Sequence, residues 1–474
     1  VPETQPEARE AFGPVVLPEV PDCNDRVRDA TLQCDGGSTK RGRRIEMRNF
    51  QQWPSGRRFA AGWLPWVLLC SASLPKTVSG ADWLQWRGPN GNNTAAAEQR
   101  IPTEWSEQKN VIWRADVSGR GHGSPLIVGD LVVLQTADEV SATQGVVAFS
   151  RRDGRPAWQM AISQGGLPPL HRKNTHASSS AASDGRHIFV TFCHHEKIEV
   201  VALDLSGRIV WRVDAGPFLP RAYEYGYAAS PTIYRDTLIV TADSDTAAWI
   251  RAFRLTNGTL IWSQERPRSL NWGSPIVAVD AGREQLLLSG SKMIAAYDPA
   301  TGAQLWSTPC LTMATCGTCV WEDGLVFASG GFPDSETVAV RADGAGVVWK
   351  NRVKCYEQSL LVAGGHVYAF SDQGVFFCWD AKTGAERWKQ RLGGPVSSSP
   401  LLVGDVILAT NEAGTTWVIR ANPARYELIA RNQLGESGFA SIAAVDGRLF
   451  IRTSAGDGAA RKELLYCLGE NQKP

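Results

Sequence analysis

The sequence has little of what many function classes require. Its formal net charge is only +1, from 49 basic and 48 acidic residues. That balance supplies no broad basic field, so nucleic acid and anionic lipid are not expected partners. The apolar run Phe59 to Leu74 is shorter than the roughly 17 residues a bilayer requires, and Pro65 interrupts it, so no stable membrane span is expected. There is no Cys-Cys pair and no second C-x-x-C to accompany Cys316 to Cys319, which leaves no zinc-type spacing. Val320 stands where c-type haem attachment needs histidine. Of ten cysteines, Cys23, Cys34 and Cys70 fall in the first 80 residues, and the odd number that remains does not read as a small disulfide scaffold.

Those first residues differ from the rest. Residues 1–46 are rich in proline, arginine and acids, with no apolar periodicity, and read as a disordered leader or an over-extended start. Met47 to Arg58 is basic, Phe59 to Leu74 apolar and Ser79-Gly80-Ala81 small, which are the three parts of a secretory signal at 47–81. The expected location is therefore periplasmic or secreted. Residues 82–104 read as an extended lead-in, 105–470 as the folded body and 471–474 as a polar tail.

What the sequence does have is a repeat. AYDPATGAQLW, Ala296 to Trp306, recurs in outline as AFSRRDGRPAW (Ala148 to Trp158), ALDLSGRIVW (Ala202 to Trp211), AFRLTNGTLIW (Ala252 to Trp262), AVRADGAGVVW (Ala339 to Trp349) and CWDAKTGAERW (Cys378 to Trp388). Each copy extends upstream into four short alternating runs separated by tight turns, an antiparallel meander. The turn glycines, Gly154 and Gly302 among them, supply the positive φ that such a hairpin needs. A tryptophan on each fourth strand would bury on the order of 200 Å² only if a neighbouring sheet covered it. Trp158, Trp211, Trp262, Trp306, Trp349 and Trp388 recur at roughly 40 to 50 residues, the period of a propeller blade. Blade openings at Ser124, Ser178, Ser230, Ser274, Thr318, Ser359, Ser399 and Ser441 predict eight blades. The last has three strands, while Asn110 to Val117, with its own Trp113, is a fourth strand lacking a blade. The fold class expected is all-β, an eight-bladed β-propeller closed by that N-terminal outer strand.

The openings SPLIVGDLVVL (Ser124 to Leu134) and SPLLVGDVILA (Ser399 to Ala409), with the D-x-x-TG-x-x-x-W close, resemble the pyrroloquinoline-quinone-like (PQQ-like) propeller repeat. WLQWRGPNG (Trp83 to Gly91) and TNEAGTTWVIRANP (Thr410 to Pro423) are similar to secreted propellers abundant in planctomycetes. The resemblance implies a quinoprotein alcohol dehydrogenase-like fold and two kinds of function. Quinoprotein dehydrogenases hold the quinone over a tryptophan and bind calcium with carboxylate and amide oxygens beside an aspartate base. No such set falls on matching positions here. The lipoprotein propeller of the β-barrel assembly machinery binds no cofactor and acts through its surface. The expectation is thus a non-catalytic binding or scaffold propeller, with a PQQ- and calcium-dependent oxidoreductase of alcohols or sugars as the alternative and a sensor module as a third reading. No cofactor is expected on the first reading, and the chain is expected to be a monomer.

Strand order places the blade-to-blade loops on one face. Gln164 to Ala177 and Gly216 to Ala228 are the longest and carry His, Tyr, Asn and Arg. A site at the channel mouth would draw on Arg120, His122, Asn174, His176, Tyr225, Tyr227, Asn271, Trp272, Tyr356 and Gln358, and would take a periplasmic or cell-surface protein, a peptide or a glycan. The plainer reading has these residues bond neighbouring loops and plug the channel. His194-His195 reads as a solvated turn rather than a metal site, and Cys316 and Cys319 as a structural pair rather than a redox one. Gly119 to Gly123 (GRGHG) precedes a strand, not a helix, and so lacks the dipole of a phosphate loop.

Overall fold

The structure, a computed structural model, describes residues 82–280 and 282–470. The predicted leader (1–46), signal (47–81) and tail (471–474) lie outside them. Eight antiparallel sheets form eight blades. Blade one shows the pattern, with strands Leu126–Val128, Leu131–Asp138, Thr143–Ser150 and Pro156–Gln164 running from the axis outward. The two middle strands of each blade are near-continuous apolar runs because a sheet covers each of their faces. The outer strands alternate, and in Val111–Val117 the buried side chains are Trp113, Ala115 and Val117. That strand pairs antiparallel with Lys462–Leu468, Trp113 opposite Cys467, and completes blade eight as the unpaired fourth strand required.

Around the axis every blade contributes one hydroxyl, and the eight form a closed circuit. The backbone N–H of Ser124 donates to Ser180 Oγ at 2.8 Å, Ser180 to Ser230 at 2.9 Å, and Ser230 to Ser274 at 2.9 Å. Ser274 donates to Thr318 Oγ1 at 3.3 Å, Thr318 to Ser359 at 2.9 Å, and Ser359 to Ser399 at 2.9 Å. Ser399 donates to Ser441 at 2.9 Å, and Ser441 closes the circuit on Ser124 Oγ at 3.0 Å. The member from blade two is Ser180, not Ser178. Ser178 instead bonds Asn174 and Thr175 in the preceding loop. Innermost strands have no sheet neighbour toward the axis, so these N–H groups, buried in the protein, take their acceptor from the next blade.

At the outer radius a second contact repeats. The indole of Trp113 lies on Gly154 of blade one, where an added Cβ would fall 2.5 Å from Trp113 Cε3, and its N–H donates to the carbonyl of Arg151 in the same turn at 3.0 Å. Trp158, Trp211, Trp262 and Trp349 likewise meet Gly207, Gly258, Gly302 and Gly384, and donate to Leu205, Leu255, Pro299 and Ala381. Trp388 donates to Asn422 without a glycine below it. Trp306 packs on Gly344 but donates to Gln285 Oε1, and the amide of Gln285 passes the bond to Ala342 O. Blade seven has no tryptophan on its outer strand Leu428–Gln433. There Trp105, 4% exposed, packs in the core shared with blade eight and takes the Asn432 carboxamide oxygen on its backbone N–H.

The lead-in stoppers the axis from the face opposite the blade-to-blade loops. Trp83 bridges Ile127 of blade one, Leu84 O accepts from Ser183 of blade two, and Gln85 Oε1 accepts from Thr232 of blade three. Gly91 lies against Ile276 of blade four, Trp86 Nε1 donates to Thr318 of blade five, and Arg87 donates to Leu360 O of blade six. Thr94–Ala95 runs parallel to Leu401–Val403 of blade seven, and Gln99 accepts from Gly447 of blade eight. One segment therefore touches all eight blades.

Replacing Ser399 by alanine strands the buried N–H of Ser359, which costs about 1–3 kcal/mol. Urea unfolding should show that loss for S399A and recover most of it in S399T, since threonine already serves at Thr318. A loss for S399A within about 0.5 kcal/mol, the range of a neutral surface change, would contradict the role given to the ring.

Candidate functional site: the axial cup

With the lead-in below it, the channel forms a cup of about 320 Å³ on the loop face. Seven of the eight ring residues, all but Ser359, line it, and Trp86 forms part of its floor.

The wall is built by the two long loops. The Asn174 carboxamide donates to the carbonyl of Tyr225 and accepts from Ser178 Oγ at 2.5 Å, which ties one loop to the other. Trp272 donates its indole N–H to Gly226 O at 2.8 Å and meets the Tyr225 ring edge-on, with centroids 5.7 Å apart. Tyr225 also contacts His171 at 4.9 Å and stacks on Tyr223 at 6.0 Å. Beneath them Leu270–Asn271 pairs in parallel with Ala314–Thr315, and Leu270, Trp272 and Ala314 make a small core that props the loops. Across the cup His122 stacks flat on Phe439, centroids 4.3 Å apart and planes 7° apart.

One cluster of three charged groups sits at the mouth. Lys173 Nζ lies 2.9 Å from Glu357 and 2.8 Å from Glu412. Ser397 Oγ is 2.5 Å from Glu357 and 2.7 Å from Glu412, and its single proton serves one carboxylate at a time. Burial pulls the Lys173 ammonium down, but the two glutamates hold it above the ordinary lysine value. His122 is held neutral, well below its usual range, first by burial and then by Arg120 and Arg452. Burial, then the Glu357 charge, pushes the Cys316 thiol well above its ordinary value. The cup therefore carries one cation against two carboxylates and is suited to binding.

Of the residues singled out from sequence, the structure brings His122, Asn174, Tyr225, Trp272 and Tyr356 together in the cup. It places the other five elsewhere. Arg120 faces Glu139 at 3.6 Å on the rim. His176 borders a separate crevice between blades one and two. Tyr227 is buried between blades two and three and donates to Thr241 O. Asn271 bonds Asp243 and Thr315 in the interior. Gln358 is fully buried and donates to Phe370 O. Cys316 and Cys319 are both free, Cys316 in the cup and Cys319 in the core between blades four and five, so they form no disulfide pair. Sequence reasoning missed Trp86, His171, Lys173, Ser397 and Phe439 as lining groups. Only the length of the Gln164 to Ala177 loop pointed toward two of them.

A quinone in this fold would have to occupy the cup. A tricarboxylate needs several uncommitted cations, whereas Lys173 is outnumbered by its own two glutamates and Arg120 is turned to Glu139. Among the described residues no three His, Cys, Asp or Glu side chains are placed to hold a metal ion. The cations at the mouth do not fit the three carboxylates of PQQ.

A family model described as outer membrane protein assembly factor BamB matches residues 98–172, 142–369 and 333–463. Outer membrane protein assembly factor BamB of Bordetella pertussis (strain Tohama I) is 24% identical over 360 residues, covering 69% of this chain and 79% of that protein. The crystal structure of BamB from Moraxella catarrhalis superposes with a TM-score of 0.54 at 16% identity, over 77% of this chain and 98% of that one. Quinohemoprotein alcohol dehydrogenase ADHIIG from Pseudomonas putida HK5 gives a TM-score of 0.54 at 11% identity, over 83% and 81%. At such identities the two solved structures speak for the fold alone.

Because folding lowers the pKa of His122, stability is fully present above the unfolded value of about 6.5 and falls as pH drops below it, toward the folded value. Melting curves between pH 7.5 and 5 should therefore fall less steeply in H122Q than in the unmodified chain. Identical slopes would show that His122 takes up its proton without cost.

Proposed function

Because this chain belongs to the family described as outer membrane protein assembly factor BamB, we propose that it is an exported, non-catalytic binding and scaffolding propeller whose partners dock on the blade-to-blade loop face. The observation that carries this reading is an aromatic rim beside the cup. Tyr225 and Phe332 are 38% and 39% exposed, and Tyr223 stacks on the first and meets the second edge-on at 5.5 Å. Large rings held half-open on a rigid base lose little entropy on docking and gain much buried area. The small core around Trp272 supplies that base.

The charge of the cup weighs against the oxidoreductase alternative, since a trianionic quinone would meet surplus carboxylate. The signal-like 47–81 segment and the family's description support an exported location. No helix among the described residues is long and apolar enough to cross a membrane.

A photo-crosslinking residue at position 223 should capture a discrete partner in cells exporting the chain, and one at position 260 on the exposed outer strand should not. Adducts from 260 alone would move the docking surface to the blade edges. With an identified partner, the triple change Y223A, Y225A and F332A should raise Kd at least tenfold, about 1.4 kcal/mol. Dye reduction on adding PQQ and calcium to purified protein would overturn the non-catalytic reading.

A further inference from the structure

The hydroxyl ring is satisfied in one sense only. Each of its oxygens accepts a backbone N–H from the preceding blade, and Thr318 Oγ1 accepts a second bond from Trp86. Among the described residues no protein acceptor takes the proton of any of the eight. The seven that line the cup are each more than nine-tenths buried. The floor is therefore a circle of convergent O–H donors, each polarised by the N–H it accepts. The upper wall offers the reverse. Glu357 keeps lone pairs beyond those that take Lys173 and Ser397, whereas Lys173 is already committed to carboxylates. The ring of Tyr225, reaching in from the rim, and that of Trp272 line the wall.

A ligand that fits must accept hydrogen bonds below, donate them above and offer apolar C–H surface to aromatic rings. A cation cannot use the donor floor. An anion meets the surplus carboxylate, and a purely apolar group leaves the donors dry, at a cost of about 1–3 kcal/mol each. A polyhydroxylated ring does all three, and the volume, near the lower end of ligand pockets at roughly 300–1,000 Å³, leaves room for about one or two such rings. We propose that the axial cup binds a neutral sugar, held by the hydroxyl ring from below, by Glu357 from above and by stacking on Tyr225 and Trp272. The proposal rests on the reading of this mouth as a binding site, and is independent of which protein docks on the rim.

The test uses the purified full chain with methyl β-glucoside, N-acetylglucosamine and cellobiose, and with lysine amide and glucuronate as charged counterparts. Saturation-transfer NMR should show magnetisation passing to the ring protons of at least one neutral sugar. Its titrated Kd should rise at least tenfold in Y225A and in E357Q, with melting curves confirming that both variants fold. The proposal is overturned if the unmodified chain transfers to none of the three sugars, if both variants bind sugar unchanged, or if lysine amide or glucuronate binds in preference. Loss of sugar binding with crosslinking at position 223 intact would remove this inference alone, whereas sugar binding without any crosslink would remove the docking reading alone.

Discussion

Every blade of this propeller turns one backbone N–H toward an axis where no further strand can receive it. Left unpaired and buried, eight such donors at about 1–3 kcal/mol each would cost as much as a domain's whole stability, about 5–15 kcal/mol. The chain solves this with one serine or threonine per blade, each accepting from the blade before, so that the innermost layer is a closed hydrogen-bonded circuit. A circuit of this kind has no free member only when it closes. Closure in turn requires the N-terminal strand Val111–Val117 to finish blade eight. The ring, the strand exchange and the number of blades are thus one constraint seen at three radii.

At the outer radius the constraint is met by different chemistry. The turn glycine is usually explained by its positive φ, and Gly154 has φ of +71°. Its missing Cβ matters as much, because the indole of Trp113 occupies that space. Tryptophan and glycine in successive blades therefore form a single joint, which explains why the repeat keeps both. Where the joint fails, other residues replace it: Gln285 relays a bond at one junction and Trp105 fills another. The stopper on the far face converts the channel into a cup, and with it a structural axis into a place where a ligand can stay.

Much of the fold was legible because its signals are local. Turn glycine, following tryptophan and alternating strand lie within a dozen residues of one another, and the missing eighth fourth strand follows from counting. The sequence points to Ser178 in place of Ser180 because Ser178-Ser179-Ser180 offers three equivalent hydroxyls and blade two lacks the proline that fixes the register at Ser124, Ser230, Ser274 and Ser399. The cup was less legible. Tyr225 and Tyr227 share a loop and a side-chain type, yet one is exposed on the rim and the other buried between blades, a difference that packing alone decides. Trp86 reaches the ring across a separation of 232 residues. Lys173 acquires its meaning only when blades six and seven bring Glu357 and Glu412 to it. Nothing in the neighbourhood of any of these residues carries that information.

A mouth with aromatic rims, a charge-compensated lysine and a floor of hydroxyl groups offers a partner apolar, charged and polar contacts together. All of this depends on the circuit being complete. Amide hydrogen exchange at the eight ring positions tests that most directly, because exchange at a closed ring requires the blades to separate together. The account predicts that Ser441, whose N–H bonds across the join between the chain's last and first blades, exchanges as slowly as Ser180 or Ser359. Exchange at Ser441 orders of magnitude faster than at the other seven would show that the propeller stands open at that seam.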